Sequence, residues 1–137
     1  MRPSSGSDAS IVSVEENEVY SAIGEEGFNQ LIATFYRQVV TDDILGPLYP
    51  RHDFPGAEER LRDFLVFRFG GPSHYLEKRG HPRLRMRHAP FPVNQAARDR
   101  WMQLMDKALA TVPMPDEAQQ LLRAYFESTA TAMMNRL

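Results

Sequence analysis

Residues 80–91 read GHPRLRMRHAPF, and this stretch lies between two long amphipathic helical patterns. The prolines within residues 82–92 exclude one long helix, because each proline removes a backbone donor and restricts the residue before it. The stretch has room for one short helical turn over residues 84–88. Such a turn would aim a single imidazole, and the residues alone leave three targets open for His88: a metal, solvent or the protein's own core.

Composition limits the cofactors that the chain can hold. The sequence has 137 residues, which fits one domain with a core that needs no covalent staples. It contains no cysteine. This excludes disulfides, cysteine-based zinc sites and iron–sulfur clusters, and it means that any haem would be held non-covalently.

Charge and hydropathy limit the partners. The formal charge of -2 argues against bulk electrostatic binding of nucleic acid. No apolar run approaches the roughly 18 residues of a membrane helix, and the polar N-terminus lacks the apolar core of a signal peptide. We therefore expect a cytoplasmic protein with no membrane partner, a disordered tail over residues 1–14 and a single domain over residues 15–137.

Apolar residues at steps of three and four predict four main helices and an all-α fold. A short helical pattern over residues 15–23 stops near Gly24. The first main pattern follows Gly27, the second opens near Pro55, the third follows Asn94 as a plausible N-cap, and the last opens at Pro115. Gly70-Gly71-Pro72 ends the second pattern. Its inner face would hold Ala57, Leu61, Phe64, Leu65 and Phe69. Packed amphipathic helices commonly hold a ligand or cofactor in their core.

Basic residues concentrate in the loop between the second and third patterns, from Lys78 to Arg87. A solvated loop is the plain interpretation of this charge. Nucleic-acid or anion binding is a second interpretation, although few aromatic residues are interleaved for base stacking. Pairing with the carboxylates of a cofactor is a third, because arginine binds carboxylates in a bidentate way.

Three polar aromatic residues lie in three different segments: Tyr36, Tyr49 and Trp101. Each is flanked by apolar residues, and a buried hydroxyl or indole N–H needs a hydrogen-bond partner. They are either ordinary core aromatics whose polar tips reach water or carbonyl groups, or a set that converges on a small polar ligand. The sequence alone leaves both interpretations open.

Several separate motifs in this order resemble a known family, the group II truncated haemoglobins, over residues 19–135. The matching motifs are the 80–91 stretch, Phe35-Tyr36, Leu48-Tyr49-Pro50, residues 57–62 (AEERLR), Gly70-Gly71-Pro72, and Arg98-Asp99 shortly before Trp101. The resemblance implies a two-over-two helical sandwich around haem b, iron protoporphyrin IX. It also implies that His88 is the proximal iron ligand.

The same resemblance implies roles for further residues. Tyr36, Tyr49 and Trp101 match the distal polar residues that face a bound gas. Ala57 stands where many globins place a distal histidine, and Leu61 matches the distal apolar wall. The implied cofactor contacts are Phe64, Leu65, Arg60, Tyr75, Met86 and Arg87.

The implied function is binding of O2 and other diatomic ligands, NO and CO, at ferrous iron. Hydrogen bonds to the ligand would slow its release, which suits a sensor, a scavenger or a redox catalyst better than an oxygen-transport protein. Peroxidase-like and NO dioxygenase activities remain open, and each would need an external reductase. A homodimer is one expected assembly. The alternative is a haem-free helical interaction or anion-binding module that uses the Lys78–Arg87 loop.

Overall fold

The computed structural model describes residues 15–49, 53–72 and 93–134. Four α-helices lie in these ranges: α1 Val19–Val40, α2 Phe54–Arg68, α3 Gln95–Leu109 and α4 Asp116–Ala132. Short 3-10 turns lie at Glu16–Glu18 and Gly46–Leu48. The described ranges contain no strand, which agrees with the expected all-α fold. Within them, no helix combines the length and the apolar character that crossing a membrane requires.

Helix α1 is kinked at Gly24, where the sequence predicts a stop. The backbone there has φ 74° and ψ 171°, a conformation that is essentially restricted to glycine. Beyond the kink, apolar side chains recur at helical spacing and are buried. They are Phe28, Leu31, Ile32, Phe35, Tyr36 and Val39. The kink therefore separates a short N-terminal helical segment from the long helix that forms the centre of the core.

Local chemistry explains the ends of the other helices. Asn94 caps α3, since its side chain accepts a hydrogen bond of 2.9 Å from the backbone N–H of Ala97. Pro55 lies in the first turn of α2, where its missing N–H costs no helical bond. Asp116 and Glu117 place negative charge at the positive end of α4. The N-cap predicted at Asn94 is thus confirmed.

Helix α1 packs against α2 and α3, and α3 packs against α4. Polar side chains bridge the helices at the edges of this core. Gln38 donates to the backbone oxygen of Leu104 over 3.0 Å, and Gln30 donates to that of Thr111 over 2.8 Å. Both bonds tie α1 to α3 or to the loop after it, so the two helices that carry Tyr36 and Trp101 are held in a fixed relation.

Some sequence predictions fall outside the described residues. These are the tail over residues 1–14, the whole 80–91 stretch with its predicted turn, and the candidate site residues Tyr75, Met86, Arg87 and His88. The single domain over residues 15–137 also remains an expectation.

Candidate ligand-binding site

Tyr36 of α1 and Tyr49, which follows the 3-10 turn, meet edge to face, with ring centroids 5.6 Å apart and planes at 82°. The interaction between their hydroxyls adds to the raised pKa of Tyr36 and opposes the rise that burial causes in Tyr49, and we infer from this that Tyr36 donates and Tyr49 accepts. Tyr36 is only 5% exposed. The pair therefore places the phenol of Tyr36 inside the helical core, with Tyr49 partly buried against it.

Trp101 of α3 supplies the second hydrogen bond to Tyr49. Its interaction with Tyr49 opposes the rise that burial causes in the pKa of Tyr49, and because an indole can only donate, we infer that the Trp101 N–H donates to the Tyr49 oxygen. Two phenylalanines hold the indole: Phe35 at 5.0 Å and Phe126 at 5.6 Å between ring centroids. The structure thus brings together all three polar aromatics that the sequence suggested.

Both tyrosines stay neutral near pH 7. Burial, the neighbouring Tyr49 oxygen and the donated hydrogen bond raise the pKa of Tyr36 well above its usual value. Burial also raises the pKa of Tyr49, and the two hydrogen bonds that it accepts oppose this effect only in part. Since a tyrosine ordinarily titrates near pH 10, both hydroxyls keep their protons at physiological pH.

Tyr49 differs from Tyr36 and Trp101 in the hydrogen bonds that its hydroxyl can still make. A tyrosine hydroxyl carries one proton and two acceptor lone pairs. If the Tyr49 oxygen accepts from Tyr36 and from Trp101, as their effects on its pKa indicate, both lone pairs are engaged. Among the residues that the structure describes, the hydroxyl proton of Tyr49 is then the one donor of the three that remains for another acceptor.

Helix α2 provides apolar residues next to this network. Ala57 is 8% exposed, Phe64 is 7% exposed and Leu65 is fully buried, while Leu61 is partly buried against the core. The start of α2 reaches the network through Phe54, whose ring centroid lies 5.8 Å from that of Tyr49. The helix thus presents a small alanine and large apolar side chains on the inner face that the sequence predicted.

Arg60 has a partner within its own segment. Its guanidinium lies 2.8 Å from the carboxylate of Asp53, and both side chains are about one-third exposed, at 32% and 39%. The positive charge of Arg60 also lowers the pKa of Tyr36 slightly, which places it near the tyrosine pair. Contact of Arg60 with a cofactor edge remains a prediction.

Sequence reasoning missed four residues that support the network. Phe35 and Phe126 hold Trp101, and both are fully or almost fully buried, at 0% and 1% exposed. Asp42 and Arg100 form an ion pair beside it. The apolar periodicity of α1 and α4 includes the two phenylalanines, but no sequence signal joins Asp42 to a residue 58 positions later.

Comparison with known proteins identifies the fold. A family model described as "Bacterial-like globin" matches residues 18–135. The chain belongs to this globin family. The group 2 truncated hemoglobin YjbI of Bacillus subtilis is 38% identical over 120 residues, covering 88% of this chain and 90% of that protein. The resemblance to group II truncated haemoglobins is thereby confirmed.

Solved structures agree with this assignment. A hemoglobin from Chloroflexus aurantiacus is 45% identical, with a TM-score of 0.82, covering 86% of this globin and 98% of that chain. A structure from Bacillus subtilis, described as a truncated oxygen-avid haemoglobin, is 38% identical, with a TM-score of 0.80, covering 85% and 98%. This globin has the all-α, two-over-two fold, and its function is haem-based ligand binding. The haem-free alternative is not favoured.

The described residues fit a haem with a small neutral ligand beside it. The network offers one uncharged donor, the Tyr49 hydroxyl, which suits a diatomic gas, and it lies among aromatic and aliphatic side chains, which suit a planar apolar cofactor. The side chain of Ala57 is a methyl group, which has no hydrogen-bond donor to offer from α2. The predicted iron ligand, His88, lies outside the described residues.

Proposed function

We propose that this globin holds haem b through His88 and binds O2 as its main diatomic ligand, with slow release controlled by the Tyr49 hydroxyl. When bound, ferrous haem supplies an iron with one open coordination position and shifts electron density toward an O2 ligand. The observation that carries the proposal is the hydrogen-bond network in which Tyr49 accepts from both Tyr36 and Trp101.

Tyr49 acts as the donor to the ligand. Its hydroxyl proton has no acceptor among the described residues, and accepting two hydrogen bonds polarises the O–H bond and makes it a stronger donor. A hydrogen bond to a charged acceptor contributes about 1.5–3 kcal/mol. If the ligand carries partial negative charge, one such bond slows its escape by roughly ten- to a hundredfold.

Tyr36 and Trp101 act through Tyr49. Each donates its one polar hydrogen to the Tyr49 oxygen, so each orients the Tyr49 hydroxyl without contacting the ligand. Phe35 and Phe126 both pack against the indole and restrict its movement. The oxygen-avid relative from Bacillus subtilis supports O2 as the ligand.

Slow O2 release favours chemistry on the ligand over transport. Reaction of the oxygen-loaded protein with NO is the second function that the network favours, because a ligand that stays bound has time to meet a second reactant. Peroxide turnover is a further outcome of the same pocket chemistry. The reaction with NO leaves ferric haem, so it needs an external reductase to restore the ferrous state, whereas peroxide turnover needs an external electron donor to reduce the peroxide to water.

The first test is spectroscopic. Purified protein should be red, with a strong Soret band, and His88→Ala should lose the ferrous five-coordinate spectrum. An unchanged ferrous spectrum in that variant would overturn the assignment of His88. Stopped-flow mixing of the oxygen-loaded protein with NO then separates the two functions: fast consumption of NO supports the redox role, and slow O2 release without it supports binding or sensing.

A further inference from the structure

An ion pair joins Asp42, in the segment that leads to Tyr49, to Arg100, the residue before Trp101. The Asp42 side chain is only 8% exposed and that of Arg100 is 30% exposed. One carboxylate oxygen of Asp42 accepts from the Arg100 guanidinium, and the other accepts from the backbone N–H groups of Ile44 and Leu45 over 3.0 and 2.8 Å. Both carboxylate oxygens are therefore in use.

Backbone hydrogen bonds continue from Asp42 to Tyr49. Leu45 is buried in the core, and its carbonyl accepts from the N–H of Leu48 over 3.0 Å. Gly46 donates to the carbonyl of Asp42 over 3.0 Å and accepts from the N–H of Tyr49 over 3.3 Å. Hydrogen bonds thus connect Asp42 to Tyr49 through the backbone of the intervening turn.

On the other side of the ion pair, Arg100 directly precedes Trp101 in α3. Adjacent residues on a helix point in different directions, so the guanidinium of Arg100 can reach Asp42 while the indole of Trp101 packs against Phe35 and Phe126. The ion pair and the Trp101–Tyr49 hydrogen bond therefore both connect the Asp42–Tyr49 segment to α3, and they do so through adjacent residues of that helix.

We propose that Asp42 and Arg100 are positioning residues whose ion pair sets the distance between Tyr49 and Trp101. This inference rests on the proposed role of Tyr49 as ligand donor. With the pair intact, the indole N–H reaches the Tyr49 oxygen and the hydroxyl proton faces the ligand. Without it, the segment from Asp42 to Tyr49 moves relative to α3, and the Trp101–Tyr49 bond lengthens.

The charge state of Asp42 is consistent with this role. Burial tends to raise the pKa of its carboxyl, but hydrogen bonds from Leu45, Arg100 and Ile44 lower it below the ordinary value. The carboxylate is therefore ionised at neutral pH. Asp43 offers a natural control, because its carboxylate also lies 3.1 Å from Arg100 but its side chain is 85% exposed.

The single tryptophan of the chain makes the proposal measurable. Haem-loaded, 15N-labelled protein saturated with CO is diamagnetic, and its spectrum contains one indole N–H cross-peak, that of Trp101. Asp42→Ala and Arg100→Gln should shift this cross-peak and speed its exchange with solvent. Both should also accelerate O2 release by roughly three- to tenfold, the loss expected when one neutral hydrogen bond is weakened.

Asp43→Ala should leave both the cross-peak and the O2 release rate as in the wild-type protein. Arg100→Gln keeps the Asp42 backbone bonds, so an effect of Asp42→Ala alone would assign the role to the turn and overturn the ion-pair proposal. A wild-type cross-peak in both variants would overturn it as well. Failure of the proposed function would show separately, as unchanged O2 release in Tyr49→Phe.

Discussion

The rings of Tyr36 and Tyr49 meet at 82° with centroids 5.6 Å apart, and the effects of the two hydroxyls on each other's pKa indicate that Tyr36 donates to Tyr49. This relation assigns different tasks to two residues that look equivalent in the sequence. The Tyr36 hydroxyl already donates its hydrogen bond within the protein. The Tyr49 oxygen accepts two hydrogen bonds, and its own proton remains available to the ligand. The predictions on ligand release depend on that difference.

Tyr49→Phe should have the largest effect on O2 release among the three network residues. The substitution removes the proposed donor to the ligand and also the oxygen that accepts from Tyr36 and Trp101. We expect release to accelerate by roughly ten- to a hundredfold, from the loss of about 1.5–3 kcal/mol. Stopped-flow displacement of O2 by CO measures the rate. A wild-type rate in this variant would refute Tyr49 as the donor.

Trp101→Phe and Tyr36→Phe should have smaller effects, each on the order of two- to tenfold, because they weaken the orientation of Tyr49 and leave its proton in place. The same displacement experiment compares all three variants. The order of the three release rates is the test. Faster O2 release from Trp101→Phe than from Tyr49→Phe would show that the indole donates to the ligand itself, which contradicts the proposed role of Tyr49.

The O2 release rate should not change with pH between about 5 and 9. Burial raises the pKa of Tyr36 and of Tyr49 above the usual value near 10, so both donors stay protonated over this whole range. Release rates at several pH values check this directly, with Tyr49→Phe as the matched control for pH effects elsewhere. A step in the wild-type rate that the variant lacks would show that Tyr49 titrates lower than its burial implies.

Two glycines with positive φ allow a matched test of backbone strain. A Cβ at Gly24 would meet nothing within 4 Å, so Gly24→Ala should cost only the strain of its conformation, about 1–3 kcal/mol. A Cβ at Gly70 would overlap the backbone carbonyl of Asn17, so Gly70→Ala adds a steric clash to that strain. Urea unfolding should show the larger loss for Gly70→Ala. Equal losses of unfolding free energy in the two variants would mean that the backbone at Asn17 shifts at little cost to accommodate the added Cβ.

Local sequence signals were sufficient for much of the fold. The kink at Gly24, the cap at Asn94 and the end of α2 near Gly70 all depend on the chemistry of one residue and its neighbours. Helical periodicity likewise indicated which faces are buried, because burial repeats with the turn of the helix. These features need no knowledge of distant residues.

The chemistry of the site depended on contacts that the sequence does not encode locally. Tyr36, Tyr49 and Trp101 could be chosen as candidates from their residue types, and the sequence suggested that all three face the ligand. Which of them donates to which is set by three-dimensional packing, and this changes the number of protons left for a ligand from three to one. The Asp42–Arg100 pair joins residues 58 positions apart, and the segment around Asp42 showed only turn signals.

Asp42 should make the stability of the protein depend on pH in acid. Hydrogen bonds from Leu45, Arg100 and Ile44 outweigh the opposing effect of burial, so the pKa of Asp42 is lower in the folded protein than its usual value near 3.9. A carboxyl with a lowered folded-state pKa stabilises the fold above its unfolded pKa. That contribution is lost as the pH falls through the folded-state pKa.

The free energy of unfolding of Asp42→Asn should therefore differ most from that of the wild-type protein at neutral pH, and the difference should shrink below about pH 4. Urea unfolding of the haem-loaded protein across this range measures it. Asp43→Asn is the control, since a side chain that is 85% exposed contributes little at any pH. A difference for Asp42→Asn that stays constant from neutral pH to about pH 3 would show that the carboxylate charge is not what holds the segment, since only a charge-dependent contribution disappears on protonation.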